Sequence, residues 1–133
     1  MGYKPIYFSS SQDGYPVYHT NVIMSIGENR VIICLDCIDN QKEKEMLIEE
    51  FKESGKKIIE ISLEQVKQFL GNTLELEGSN KKRFIVMSET AYKSLTDEQK
   101  NDILKDTEIV YSNVETIEYY GGGSARCMIG EIF

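Results

Sequence analysis

A chain of 133 residues is long enough for one domain with a full core and too short for two ordinary ones. Apolar residues make up 41% and charged residues 28%, a soluble globular composition, and no apolar run approaches the roughly 18 residues of a membrane helix. The net charge of −7, from 22 acidic against 15 basic residues, repels phosphate backbones and anionic lipid, so nucleic acid and membrane are poor partners. Three cysteines and no basic-then-apolar leader indicate free thiols in a reducing cytoplasm.

The first clear strand is expected over Val22–Ile26, with His19 at its entrance behind the turn-like Asp13-Gly14-Tyr15-Pro16. Gly27-Glu28-Asn29-Arg30 reads as a hairpin turn into a strand over Val31–Leu35, at whose end Cys34 and Cys37 form a CxxC. A redox pair belongs at a helix N-terminus and a zinc site needs further ligands, so strand packing is expected of this one. A helix from Gln41 to Ser54 follows, with Asn40 as N-cap, Glu43 at capping-box spacing and Gly55 as the stop. Met46, Leu47 and Phe51, with Leu47 and Phe51 four apart, are expected to give it one apolar face.

Lys57–Ile61 reads as a strand, and Ser62 with Gln65 opens a short helix that stops at Gly71. Thr73–Leu76 and Arg83–Met87 are expected strands, Thr96 with Gln99 caps a helix to about Lys105, and Ile109–Tyr111 and Glu115–Tyr119 are expected strands. The last of these runs into Gly121-Gly122-Gly123-Ser124-Ala125-Arg126-Cys127, and Ile129–Phe133 reads as a final strand. A pair of strands, a helix and a further strand thus recur two to three times, which predicts a mixed α/β or α+β unit over residues 1–133.

Cys127 is the candidate nucleophile. A cysteine attacks as thiolate, favoured by nearby N–H groups or a cation; the three glycines free the backbone to present such groups, and Arg126 adds a charge. His19, the only histidine, is the candidate acid/base partner, since a cysteine nucleophile wants an imidazole.

The stretches Val17-Tyr18-His19-Thr20-Asn21-Val22-Ile23-Met24-Ser25-Ile26-Gly27 and Gly121–Met128 resemble the His and Cys motifs of the amidinotransferase superfamily. Between them, the run from Glu60 through Phe69-Leu70-Gly71-Asn72-Thr73 to Leu76 is similar to its Gly-Asn loop. The resemblance covers residues 14–133 and is nearest the bacterial arginine-deiminase-related, or citrulline-utilisation, branch. It implies part of a pentein fold, about half of an αβ-propeller of five ββαβ blades. It also implies attack by Cys127 on a guanidino or ureido carbon of an arginine- or citrulline-like small molecule, with His19 as general acid and base. Hydrolysis and amidino transfer both remain open. Asn21 and Asn72 would line the pocket, Gly122 and Gly123 would shape the nucleophile loop, and no metal or organic cofactor is implied.

Two departures from the superfamily pattern bear on this. Asn21 stands where several relatives carry an Asp that grips the guanidinium. The further carboxylates of such sites come from a first half that this chain, starting at Met1-Gly2-Tyr3, does not match. The expectation is therefore a chain that self-associates or pairs with a partner supplying missing blades, and that is inactive alone. The alternatives are a non-catalytic remnant or binding subunit, and, behind both, a redox protein using Cys34 and Cys37.

Overall fold

A computed structural model describes residues 2, 4–130 and 132. Two short strands, β1 (Ser11–Gln12) and β2 (Tyr15–Pro16), pair antiparallel across Asp13-Gly14, both at positive φ as a tight hairpin requires. Thr20–Val22 form a 3₁₀ turn, and the first long hairpin joins β3 (Met24–Ile26) to β4 (Arg30–Ile33). The expected strand at Val22 thus begins two residues later, because the His19 carbonyl closes the turn by accepting the Val22 N–H at 3.0 Å. A second 3₁₀ turn, Leu35–Cys37, leads to α1 (Gln41–Glu53), and β5 (Lys57–Glu60) then lies parallel to β4.

After α2 (Leu63–Lys67) the same order returns. An antiparallel pair, β6 (Leu74–Glu77) and β7 (Arg83–Ser88), is followed by α3 (Glu89–Ser94), α4 (Asp97–Ile103) and β8 (Glu108–Ser112), parallel to β7. Two helices close the described chain, α5 (Glu115–Gly121) and α6 (Ala125–Met128). The architecture is mixed α+β with three small sheets, six helices and no closed barrel among the described residues.

Local chemistry explains most of these boundaries. Ser62/Gln65 and Thr96/Gln99 form complete capping boxes, each satisfying two helix-end N–H groups. Asn40 caps α1 by accepting from the Lys42 and Glu43 N–H groups, but the Glu43 carboxylate turns away to accept the Ser9 N–H at 2.8 Å. Gly55, at φ 73°, takes the left-handed position beyond the helix end.

The expected strand at Glu115–Tyr119 is instead α5. Asn113 accepts the Glu115 N–H, Val114 carbonyl oxygen accepts from Ile117 and Glu118, and Glu118 is the residue of this segment that the interior holds. Its neighbours Tyr119 and Tyr120 are about four-fifths exposed, so their β-propensity has no sheet to act on. The expected strand at Ile129–Phe133 is not present at 129, 130 or 132, and Glu131 and Phe133 lie outside the described residues. A further helix, α3, was not expected; Ser88 caps it by accepting the Ala91 N–H.

One continuous cluster of buried side chains spans both strand–helix repeats. Val31, Ile32 and Ile33 of β4 form its centre, Leu47 and Phe51 of α1 cover one side, and Ile85 and Met87 of β7 join from the second sheet. Each such side chain contributes about 1.5–3 kcal/mol on removal from water. Between the repeats the buried Arg30 guanidinium donates to Thr107, pairs with Asp106 and lies 3.8 Å from a Glu75 carboxylate oxygen. Burial lowers its pKa, against the opposing charges of Glu75 and Asp102.

Candidate active site

The site starts from a close backbone approach. Phe69 takes positive φ (62°) just after α2, and Gly71 then packs on the segment Val22-Ile23. A methyl group on Gly71 would overlap the Val22 carbonyl oxygen and lie 2.9 Å from the Ile23 carbonyl carbon, so only glycine fits. That contact sets Asn72 beside the 3₁₀ turn, where its amide donates to the Asn21 carbonyl at 2.8 Å.

The other wall is the glycine run, which ends a helix rather than a strand. Gly122 takes the left-handed position (φ 66°) and its N–H returns to the Glu118 carbonyl at 3.1 Å. Gly123 faces the nucleophile candidate: a Cβ there would sit 3.0 Å from both Cβ and Sγ of Cys127. Ser124 then leads into the short helix α6, which carries Cys127.

Asn72 ties the two walls together and is 3% exposed. Its Oδ1 accepts the Ser124 N–H at 3.1 Å and the Cys127 N–H at 3.4 Å, and its own carbonyl accepts the Arg126 N–H. Two N–H groups on one amide oxygen fix which way the side chain points. Its Nδ2 therefore donates to Cys127 Sγ, at 3.1 Å, with Asn21 Nδ2 a further 4.0 Å donor. An N–H aimed at sulfur binds thiolate better than thiol, as charge-assisted hydrogen bonds do generally.

Cys127 is exposed, whereas Cys34 and Cys37 are fully buried. Burial, with Cys34 alongside, pushes the Cys37 thiol up to about 12, the opposite of what a redox pair needs. Cys127, Asn72, Gly122 and Gly123 line a cleft of about 180 Å³ with Gln12, Val22, Val66, Lys67 and Phe69. Among the described residues no carboxylate lines it, and Lys67 is paired with Asp13 at 3.3 Å.

His19 lines an adjoining cleft of about 250 Å³, with Gln12 and Val22 common to both. Its ring makes no hydrogen bond among the described residues. The structure thus brings Cys127, Asn72, Asn21 and Gly123 together and leaves His19 as a neighbour without a bond to the sulfur. A larger cleft, about 830 Å³ between β5 and α4, shares no wall residue with that of Cys127. Among the described residues no three His, Cys, Asp or Glu side chains are grouped to hold a metal ion, and no helix is long and apolar enough to cross a membrane.

One residue next to the site was not anticipated. Glu118 is buried in α5, where its Oε1 accepts from Ser124 Oγ at 2.6 Å and its Oε2 from Thr90 Oγ1 at 2.8 Å. A lone glutamate in a segment with strand-like alternation carries no sequence signal of this.

A model of the family described as N,N dimethylarginine dimethylhydrolase, eukaryotic, matches residues 1–133. No curated protein matches the chain. The match supports the amidino-group superfamily that the His and Cys motifs resemble, and does not support its arginine-deiminase-related branch. The chain, with its cysteine held by an asparagine amide beneath a glycine turn, belongs to the eukaryotic N,N-dimethylarginine dimethylhydrolase family.

Proposed function

We propose that this chain is the cysteine-bearing part of a hydrolase that attacks the guanidino carbon of an arginine derivative, with a methylated arginine as the substrate its family indicates. The observation that carries the reading is the exposed residue Cys127, lining a cleft, with an Asn72 N–H donor 3.1 Å from its sulfur. In the first half-reaction the thiolate adds to the guanidino carbon, and the adduct collapses as His19 protonates the departing alkylamine, leaving a thiouronium on Cys127. In the second, His19 takes a proton from water, the hydroxide adds to the same carbon, and collapse returns the thiolate and releases the ureido product.

The two strand–strand–helix–strand repeats support a reading as two blades of a pentein propeller, within one unit over residues 1–133. A guanidinium needs carboxylates, and among the described residues none lines the Cys127 cleft. On this reading the acids come from outside that cleft, and a second copy or a partner chain set against this one is their proposed source. The same gap favours a second reading, a binding subunit that keeps the cysteine without turnover.

Millimolar N,N-dimethylarginine, acid quenching and intact-mass measurement separate these. The hydrolase reading expects an amidino adduct that Cys127→Ala lacks, with no steady release of dimethylamine by the chain alone. A bare Cys127 at all times supports the binding subunit. Sustained release that vanishes in Cys127→Ala would show that no second chain is required.

A further inference from the structure

The reading of Cys127 as nucleophile leaves one buried ionisable group without a role. Glu118 is 6% exposed, and among the described residues it has no cationic partner. Among the described residues its two oxygens accept from two hydroxyls, those of Ser124 and Thr90. An unpaired carboxylate is costly to bury, and an apolar side chain of similar length at this point of α5 would cost less. Stability alone gives no reason for it to be there.

Its contacts lead to the sulfur in three steps. The carboxylate holds Ser124, which is itself fully buried, by the 2.6 Å bond to its hydroxyl. Ser124 in turn presents its N–H to Asn72 Oδ1 and its carbonyl to the Cys127 N–H, at 3.1 and 3.0 Å. Asn72 then presents its Nδ2 to Cys127 Sγ. Through Thr90, the other carboxylate oxygen fixes the same residue to the start of α3, which Ser88 of β7 caps. The nucleophile loop is thereby referred to a sheet rather than to other loops.

We infer that Glu118 is a positioning residue for Cys127, acting through Ser124 and Asn72; this rests on the reading of Cys127 as nucleophile. What it contributes is an acceptor in a fixed place. Its charge works the other way, because a carboxylate near a thiolate disfavours the anion. The two effects have opposite signs, which makes the role testable. A glutamine keeps both contacts, its carbonyl accepting from Ser124 and its amide donating to Thr90 Oγ1. A methionine keeps the length and loses both.

The test is the rate of iodoacetamide labelling of Cys127, followed by peptide mass, with the fully buried Cys34 and Cys37 as internal reporters of unfolding. At neutral pH, Glu118→Gln labels within about threefold of wild type, while Glu118→Met and Ser124→Ala each fall about tenfold, the worth of one lost charge-assisted bond. The double variant falls no further, as expected for residues in one chain of contacts. Cys34 and Cys37 stay unlabelled throughout. If Glu118→Met does not fold, Ser124→Ala carries the test, since it keeps the carboxylate. Unchanged Cys127 labelling in either variant would overturn the inference, and so would faster labelling in Glu118→Gln and Glu118→Met alike, which would mean that only the charge matters. None of these readouts needs turnover or substrate, so a wild-type chain that forms no amidino adduct would sink the proposed reaction and leave this role standing.

Discussion

The two strand–helix repeats share a topology and differ in what covers them. In the first, all four residues of the central strand β4 are buried and its parallel neighbour β5 is half covered by α1, which lays Leu47 and Phe51 on the core. In the second, β7 is only partly buried, and β8 exposes four of its five residues, including Val110 and Tyr111. Ile59 and Val110 occupy equivalent places, each opposite the third residue of its module's parallel ladder, at Ile32 and Val86. Yet Ile59 is 5% exposed and Val110 48%. The first repeat is a finished core. The second is a scaffold with an open edge, and the reactive loop hangs where the two meet.

That junction is the place to break the molecule most severely. Gly71→Ala drives a methyl into the backbone of Val22-Ile23, which cannot give way as a side-chain tip could, and should cost about 4 kcal/mol or prevent folding, read by urea denaturation. The comparison itself is sharpened by paired truncations. Ile59→Ala should cost about 3 kcal/mol and Val110→Ala about 0.5 kcal/mol or less in dilute solution. Equal costs would mean that something covers β8, and a concentration-dependent cost for Val110→Ala would identify a second copy as the cover.

The smallest effect concerns a link between the repeats. Asp102 of α4 accepts from Lys105 and from Lys57 of β5, and these bonds hold its carboxyl below the usual range. A depressed carboxyl stabilises the fold fully above its unfolded value of about 4, and that contribution is lost as pH falls through the lower folded value. Both lysines are largely exposed, so solvent screening leaves less than about 0.5 kcal/mol. Acid unfolding of Lys57→Met should lie close to wild type and converge with it at low pH.

Short-range rules were read directly from the residues where the partners lie within one turn of chain. The Ser62/Gln65 and Thr96/Gln99 boxes, the Asn40 cap and the Gly55 stop all form from neighbours. Glu43 and Glu118 mark where such reading ends. One left its expected box for the Ser9 N–H, and the other turned a strand-like segment into a helix by bonding Ser124 and Thr90. Partners 34 and 28 residues away leave no periodic trace. At the site, motif resemblance brought forward Cys127, Asn21, Asn72 and the glycines, whose contacts now stand in the fold. It also brought forward His19, whose ring makes no bond to the sulfur. The part played by Ser124 was invisible because it rests on a backbone N–H and a hydroxyl, which any serine has.

The most direct measurement compares alkylation of the three cysteines in wild type, Asn72→Ala and His19→Ala at neutral pH. Activation of Cys127 by the Asn72 amide predicts that Cys127 reacts first and well ahead of a free cysteine, and that Asn72→Ala slows it about tenfold. Cys34 and Cys37 should stay silent in all three proteins, and His19→Ala should lower the rate if the imidazole reaches the sulfur. A Cys127 that reacts no faster than free cysteine, and is indifferent to loss of Asn72, would contradict the account.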